Sequence, residues 1–195
     1  RRGFQKTTYD DIKSLYTLRP KDGHPHYIKY DPLKQELIVE TSLPKVLYDQ
    51  NITLLCDSTI MAALDELSNR IESYTGAVLP HVAQWLIRGR SDFCFAWDVR
   101  LDGQDLTTDY LAALRTISVP RMFSKSMEKA GTMYWFNSQR TVRFYDKYRE
   151  TKSGLAMGIC RLEIQLNHSK KELAKPGVGC TLGDIANWET ARAIL

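Results

Sequence analysis

The sequence lacks the features of zinc-binding, disulfide-rich and membrane-spanning proteins. Its four cysteines are far apart and include no C-x-x-C pair: Cys56, Cys94, Cys160 and Cys180. This spacing excludes the usual zinc motifs and argues against a secreted disulfide framework. No apolar run approaches the roughly 20 residues of a membrane span, and Arg-Arg-Gly at the start does not resemble a signal peptide. We therefore expect a cytoplasmic chain that is excised from a longer protein and does not contact a membrane.

Motifs for nucleotide hydrolysis, internal repeats and flexible linkers are also missing. Without a G-x-x-x-x-G-K-[ST] sequence, ATP hydrolysis and helicase activity are excluded from this chain. What the chain does have is 195 residues with a hydrophobic fraction of 43%, enough for a substantial core. We predict one domain over residues 1–195. The net charge of +4 permits nucleic-acid binding but does not demonstrate it.

The apolar pattern predicts both strands and helices. "HYIKYDPLKQELIVETS", residues 26–42, reads as a β-hairpin. "STIMAALDELSNRIESY", residues 58–74, reads as a helix that Ser58 can cap and that ends before Gly76. Six strand-like segments and three or four helices do not follow a strict βαβ order. We predict an α+β fold with a mostly antiparallel central sheet and helices packed on one face.

Three of the strand-like segments alternate cleanly between apolar and polar residues. They are "DFCFAWDVRLD" (92–102), "TVRFYDKYRE" (141–150) and "MGICRLEIQLN" (157–167). With a period of two, their polar residues share one face, which helices on the other face leave free. These residues are Asp98, Asp102, Arg143, Tyr145, Lys147, Arg161 and Glu163.

Two interpretations of this polar face are possible from the residues alone. Charged side chains that alternate on exposed strands are usually a solvated face, on which Tyr145 only covers apolar neighbours. Alternatively, carboxylates from two strands bind a hard divalent cation beside a phenol and two cations, which suits chemistry on a phosphate. In the second case Tyr145 is the nucleophile, whereas Tyr148, on the opposite strand parity, packs.

A resemblance supports the second interpretation. "NSQRTVRFYDKYRE" followed by "GICRLEIQL" resembles the core of rolling-circle replication initiators, above all the gene II replication proteins of filamentous phages and the RstA-type initiators of Vibrio phages. "SLPKVLYDQN", residues 42–51, resembles a further segment of those phage proteins. Plasmid initiators of the Rep_trans group are more distant relatives, with a similar R-x-Y-x-K-x-x-E stretch before an R-x-E strand. The resemblance covers residues 27–166.

The resemblance implies an origin-nicking endonuclease with an HUH-endonuclease-like fold. Tyr145 matches the nicking tyrosine, and Arg143 and Lys147 match its basic neighbours. Asp98, Asp102 and Glu163 match acids that imply a Mg²⁺ or Mn²⁺ site. The His-hydrophobic-His pair of HUH nickases is not present, because "HPH" at 24–26 has Pro between its histidines. The implied metal site is therefore rich in carboxylates.

The resemblance also implies partners and a location. They are single-stranded or supercoiled origin DNA, a helicase and a replication polymerase from the host, and the cytoplasm of a bacterial host. A DNA-binding or repressor domain that does not cleave, and a plasmid-type Rep nickase, are the alternatives. Tyr134, Trp135 and Phe136 either stack on unpaired bases or belong to the core.

Overall fold

The structure, a computed structural model, describes residues 5–9, 13–20, 24–127, 131–174, 179–187, 189–190 and 192. The chain divides into two compact units, Arg1–Trp85 and Leu86–Leu195. That residues 1–195 act together as one nicking domain stays a prediction.

The first unit contains a four-stranded antiparallel sheet and two helices. Its strands lie in the order β1-β2-β3-β4. The elements in chain order are β1 (Gln5–Tyr9), β2 (Lys13–Leu18), β3 (Tyr27–Asp31), β4 (Glu36–Glu40), α1 (Leu43–Tyr48), α2 (Asp57–Thr75) and a 3₁₀ turn (Val82–Gln84). The hairpin predicted at residues 26–42 is therefore confirmed as β3 and β4, which pair antiparallel.

Helix α2 forms because an apolar stripe recurs at helical spacing. Its buried residues are Ala63, Leu64, Leu67 and Ile71. Leu67 and Ile71 join a core with Ile28 of β3. Gly76 ends the helix with φ of 67°, in the left-handed region that glycine enters without steric cost. The predicted cap at Ser58 is wrong, because the N-cap is Cys56, two residues earlier, and the helix begins at Asp57.

The second unit is built on a five-stranded antiparallel sheet in the order β5-β11-β10-β9-β8. Its strands are β5 (Ser91–Asp98), β6 (Arg100–Leu101), β7 (Gln104–Asp105), β8 (Phe123–Met127), β9 (Thr132–Phe136), β10 (Arg140–Asp146) and β11 (Ile159–Leu166). Its helices are α3 (Thr107–Leu114), α4 (Lys147–Thr151), α5 (Ser169–Ala174) and α6 (Leu182–Ile185), with a 3₁₀ turn at Gly154–Ala156.

One face of the five-stranded sheet forms the core of this unit. Leu111 of α3 packs with Trp135 of β9 and Phe144 of β10. Leu173 of α5 packs with residues of β5 and β11. The predicted apolar parity therefore holds at the centre of the sheet, and these two helices cover that face.

Strand β5 is shorter than the predicted segment of residues 92–102. It ends at Asp98, and a short hairpin of β6 and β7 follows. Asp102 and Gly103 form the tip of this hairpin with φ of 49° and 81°. Such a pair of positive φ angles suits the tight turn that Asp-Gly favours. Asp102 therefore does not lie on the face of β5, and the prediction from alternation that it shares a face with Asp98 is wrong.

The prediction of an α+β fold with antiparallel sheets and a few helices is confirmed. Within the described part of the chain, no helix is both long and apolar enough to cross a lipid bilayer.

Candidate active site around Tyr145

The candidate site lies on the two central strands of the second unit. In the antiparallel register of β10 and β11, Arg143 is opposite Glu163 and Tyr145 is opposite Arg161. Residues two apart on a strand share a face, so all four side chains belong to the same side of the sheet. The register thus brings the predicted tyrosine and one predicted acid together.

The Glu163 carboxylate joins the tyrosine to an arginine. The Tyr145 hydroxyl donates a hydrogen bond to Glu163 Oε2 at 3.2 Å. Arg143 Nη2 donates to the other oxygen, Oε1, in a salt bridge. Both carboxylate oxygens are therefore engaged. The phenolic proton points at a carboxylate, which is the geometry that a general base needs.

Two cations lie against the tyrosine ring. Arg143 Cζ is 5.4 Å and Lys147 Nζ is 5.7 Å from the Tyr145 ring centroid. Both distances are within the range of cation–π attraction. The sequence pattern predicted these two neighbours of Tyr145, and the structure places both of them there.

Lys147 reaches the tyrosine from a helix and not, as predicted, from the strand. β10 ends at Asp146, whose side chain caps α4 by accepting a hydrogen bond from Arg149 N at 3.1 Å. Lys147 is the first residue of α4, and its ammonium donates to the Glu150 carboxylate. The prediction of a strand through residue 150 is therefore wrong, because an Asp N-cap starts a helix there.

The polar face is buried around Tyr145, which corrects the expectation that the whole face is free. Tyr145 is only 5% exposed, and Glu163, Arg161 and Lys147 are also buried. Buried charges are stable only when they are paired and hydrogen-bonded. The pairing of Glu163 with Arg143 meets this requirement.

Burial changes the acidity of the groups at the site. It raises the pKa of the Tyr145 phenol well above its ordinary value, and the nearby Glu163 charge raises it further. The same two causes raise the pKa of the Cys94 thiol to about 12. Burial lowers the pKa of the Lys147 ammonium, although its hydrogen bond to Glu150 opposes the change. At neutral pH the phenol is therefore protonated and needs a base before it attacks.

Arg143 retains hydrogen-bonding capacity. Its buried Nε atom has no hydrogen-bond acceptor among the residues that the structure describes. The Arg143 side chain as a whole is 34% exposed, the largest exposure among Arg143, Tyr145, Lys147, Arg161 and Glu163. Guanidinium groups bind phosphate oxygens with geometry that matches their donors. Arg143 is thus the member of the site best placed to contact an anion.

The other two predicted acids lie apart from Glu163. Asp98 is four residues along β5 from Cys94, the partner of Glu163, which corresponds to roughly 13 Å of strand. The Asp98 carboxylate accepts hydrogen bonds from Arg100 N at 3.0 Å and Arg100 Nε at 2.9 Å. These bonds lower the pKa of Asp98 to about 2.

This arrangement does not fit one metal held by all three acids. Asp102 lies at a hairpin tip, Asp98 is bound by Arg100, and Glu163 is bound by Arg143 and Tyr145. Among the described residues there is no group of three or more His, Cys, Asp or Glu side chains that could hold a metal ion. A metal requirement therefore stays a prediction without a ligand set.

The three consecutive aromatic residues of β9 divide between core and surface. Trp135 is buried, and its indole nitrogen donates to Ile117 O at 3.1 Å. Tyr134 lies opposite Arg143, on the side of the candidate site. Phe136 is exposed. Tyr148 is also exposed on α4 and does not lie in the strand.

The alternation pattern did not identify two features of the site. Arg161, opposite Tyr145, was assigned to the polar face but given no role, although its basic charge is buried beside the phenol. The role of Glu163 as hydrogen-bond acceptor for Tyr145 depends on strand register, which alternation does not determine. A signal for the α4 cap was present, since Asp146 precedes a short run of helix-forming residues.

A scan against models of protein families, a search of curated proteins and a search of solved structures each found no match for this chain.

Proposed function

We propose that this chain is a rolling-circle replication initiator that nicks one strand of phage origin DNA with Tyr145 as the nucleophile. The observation that carries the proposal is the hydrogen bond of 3.2 Å from the Tyr145 hydroxyl to Glu163. Arg143 and Lys147 at the ring add the positive charge that a phosphate requires. The resemblance of residues 137–166 to such initiators supplies the reaction class, and an HUH-endonuclease-like fold is part of the proposal.

The proposed step exchanges one phosphoester for another. Glu163 takes the phenolic proton as Tyr145 Oη attacks the scissile phosphorus, and the bond from phosphorus to the 3′ oxygen breaks. The leaving 3′ oxygen takes a proton from water and becomes a free 3′-OH that primes synthesis, and Glu163 then releases the phenolic proton to water. The 5′ end stays on the protein as a phosphotyrosine. Because this phosphoester is retained, the reverse attack rejoins the ends without ATP.

Arg143 and Lys147 have separate roles in this scheme. Arg143, partly exposed and with Nε lacking an acceptor in the described structure, positions the phosphate. Lys147 is buried against the ring and stabilises the negative charge that develops on Oη and the phosphorane oxygens. Both roles use donors that already lie around Tyr145.

The burial of Tyr145 bears on the choice between a nickase and a DNA-binding domain that does not cleave. Because the phenol is 5% exposed, DNA binding has to uncover Oη before the phosphate reaches it. A DNA-binding or repressor domain that does not cleave has no such requirement, and the burial of Tyr145 favours it. A plasmid-type Rep nickase uses the same nucleophile and differs in the origin that it recognises.

The proposal includes a metal and several partners. Mg²⁺ or Mn²⁺ supplies Lewis-acid stabilisation of the phosphate when bound, and Asp98, Asp102 and Glu163 are the acids that the resemblance assigns to it. Because these acids do not form one ligand set in this structure, no step above depends on the metal. Supercoiled or single-stranded origin DNA is the substrate. A host helicase and polymerase complete replication in the bacterial cytoplasm.

Covalent trapping tests the proposal. The chain is incubated with Mn²⁺ and a pool of single-stranded oligonucleotides of random sequence, and the products are digested and analysed by mass spectrometry. We expect a peptide that contains Tyr145 with a 5′-phosphate attached. DNA binding without any tyrosine adduct would support the non-cleaving candidate and overturn the nickase.

A further inference from the structure

Two exposed phenylalanines form a pair at the edge of the five-stranded sheet. Phe123 of β8 is 73% exposed and Phe136 of β9 is 38% exposed. Their ring centroids are 6.1 Å apart with an interplanar angle of 41°. Large aromatic side chains are among the residues that bury most apolar area in a fold, so an exposed pair marks an interaction surface.

Strand register places this pair on the same face as Tyr145. Phe123 is opposite Phe136, and Phe136 is opposite Thr141 of β10. Thr141 and Tyr145 are four residues apart on one strand and therefore share a face. One row of side chains on this face lies between the pair and the tyrosine, and the distance from Thr141 to Tyr145 is roughly 13 Å along the strand.

Arg143 lies in the row between the phenylalanines and Tyr145. It is paired with Tyr134 of β9 and is partly exposed. Along this face lie the exposed aromatic pair, then a partly exposed cation and then the buried candidate nucleophile. A single strand of nucleic acid presents bases and phosphates alternately, and proteins bind such strands with aromatic platforms and basic grooves.

We infer that Phe123 and Phe136 bind an unpaired base of the DNA strand whose phosphate reaches Tyr145. The inference rests on the proposed function for its substrate. At the spacing of about 3.4 Å per phosphate in a helical strand, 13 Å corresponds to about four nucleotides, and to fewer in an extended strand. The pair thus holds the strand close to the nick, and its apolar rings accept any base.

Binding of two oligomers tests the inference. We measure by fluorescence anisotropy the affinity of the 195-residue chain for labelled oligothymidylate and for an abasic oligomer of equal length. Phe123→Leu/Phe136→Leu should weaken binding of oligothymidylate on the order of tenfold, the loss of about one base–aromatic stack. Affinity for the abasic oligomer should not change. Equal loss for both oligomers, or no loss for either, would overturn the inference.

The matched control is Tyr110→Leu, an aromatic residue on α3 that is 50% exposed. Helix α3 covers the opposite face of the sheet, so both affinities should stay at wild-type values. Circular dichroism verifies that each variant is folded.

Because β8 is an edge strand, a second copy of the chain is the competing occupant. Loss of a dimer in the double variant, with unchanged DNA binding, would assign the pair to self-association.

A second measurement needs no variant. Oligonucleotides with 5-iododeoxyuridine are irradiated on the wild-type protein, and the cross-linked peptides are sequenced. We expect cross-links at Phe123 or Phe136, and cross-links only elsewhere contradict the inference. The results can contradict the two proposals separately. If the double variant loses affinity for oligothymidylate only, and no tyrosine adduct forms, the proposed nicking activity is wrong but base binding by the phenylalanines is not. If a Tyr145 adduct forms but the double variant affects both oligomers equally, base binding by the phenylalanines is wrong and the proposed nicking activity is not.

Discussion

At the scale of single residues, the Tyr145 phenol is a weak acid in surroundings that make it weaker. Burial and the Glu163 charge both raise its pKa, yet the same carboxylate accepts its hydrogen bond at 3.2 Å. A protonated nucleophile with a base already in contact is a workable arrangement for attack at neutral pH. The site therefore depends on two oxygen atoms, Tyr145 Oη and Glu163 Oε2.

Replacing Tyr145 with phenylalanine tests the nucleophile. Tyr145→Phe should abolish the covalent adduct while DNA affinity stays unchanged, because only one hydroxyl is removed. The free energy of unfolding should fall by about 1 kcal/mol, since a buried carboxylate loses one donor. Denaturant unfolding and gel analysis of adducts measure the two effects.

The control for this variant is Tyr148→Phe. Tyr148 is exposed on α4, so adduct formation and stability should stay at wild-type values. An adduct that persists in Tyr145→Phe and disappears in Tyr148→Phe would transfer the nucleophile to α4.

Replacing Glu163 with glutamine tests the base. Glu163→Gln keeps an acceptor for the Tyr145 hydroxyl but cannot take its proton, so the rate of adduct formation should fall by about 10²- to 10⁴-fold. Because the pKa of Tyr145 is raised, the phenolate fraction in the variant should grow about tenfold per pH unit between about pH 7 and 9.

The residual rate of Glu163→Gln should therefore rise with pH more steeply than the wild-type rate. Single-turnover rates at several pH values measure the difference. Parallel pH profiles for the two proteins would contradict a role for Glu163 as base.

Thiol reactivity tests the local environments independently of any function. Hydrogen bonds from Ser58 and Thr59 lower the pKa of the exposed Cys56 to about 7, whereas burial and Glu163 raise that of Cys94 to about 12. At about pH 8 the Cys56 thiol is therefore mostly thiolate and Cys94 is not. Iodoacetamide should modify Cys56 first, as followed by mass spectrometry. Faster labelling of Cys94 would contradict its burial.

At the scale of elements, the junction of β10 and α4 positions Lys147. Asp146 N pairs with Gly131 O at 3.0 Å, and its side chain accepts from Arg149 N and Arg149 Nε. The same residue thus ends the strand and begins the helix. This change of direction directs the Lys147 ammonium to the ring of Tyr145.

Removing the cap should destabilise this junction. Asp146→Ala should lower the free energy of unfolding by about 1 kcal/mol, the usual effect of losing an N-cap. Because Lys147 then loses its fixed position, adduct formation should also slow. Asp146→Asn is the control, since asparagine caps equally well. Urea unfolding of the three proteins measures the effect, and equal stability of Ala and Asn variants would contradict the capping role.

At the scale of the whole molecule, the distribution of charge leads to a prediction of how the proposed DNA binding depends on salt. The net charge is only +4, so the affinity has to come from a local arrangement of cations. Each phosphate that a cation neutralises releases counterions, and the affinity falls with salt accordingly. Arg143→Gln should reduce the slope of log K against log salt by about 1, the value for one phosphate contact.

Fluorescence anisotropy with one single-stranded oligonucleotide, from about 50 to 200 mM salt, measures this slope. Arg115→Gln, at the end of α3 on the opposite face, is the control and should leave the slope unchanged. A wild-type affinity that does not vary with salt would show that phosphates do not contribute to binding.

The sequence by itself determined the secondary structure where a periodic pattern was long. The apolar stripe of α2 and the hairpin at residues 26–42 are both observed, because burial of one face is a local requirement that each segment carries. The proximity of Arg143 and Lys147 to Tyr145 also follows from short sequence spacing. The strands at Gln5–Tyr9 and Lys13–Leu18 had no such pattern and were not predicted.

Only the tertiary structure decided which polar side chains meet. The sequence places Asp98, Asp102 and Glu163 on strands of the same polar parity. The register, however, separates Asp98 from Glu163 by roughly 13 Å of strand. The early end of β5 places Asp102 at the tip of a separate hairpin. Register and burial are long-range properties, since each depends on which strand lies beside which. Parity alone therefore predicted a free polar face, either merely solvated or holding a metal, and packing produced a buried tyrosine hydrogen-bonded to a glutamate.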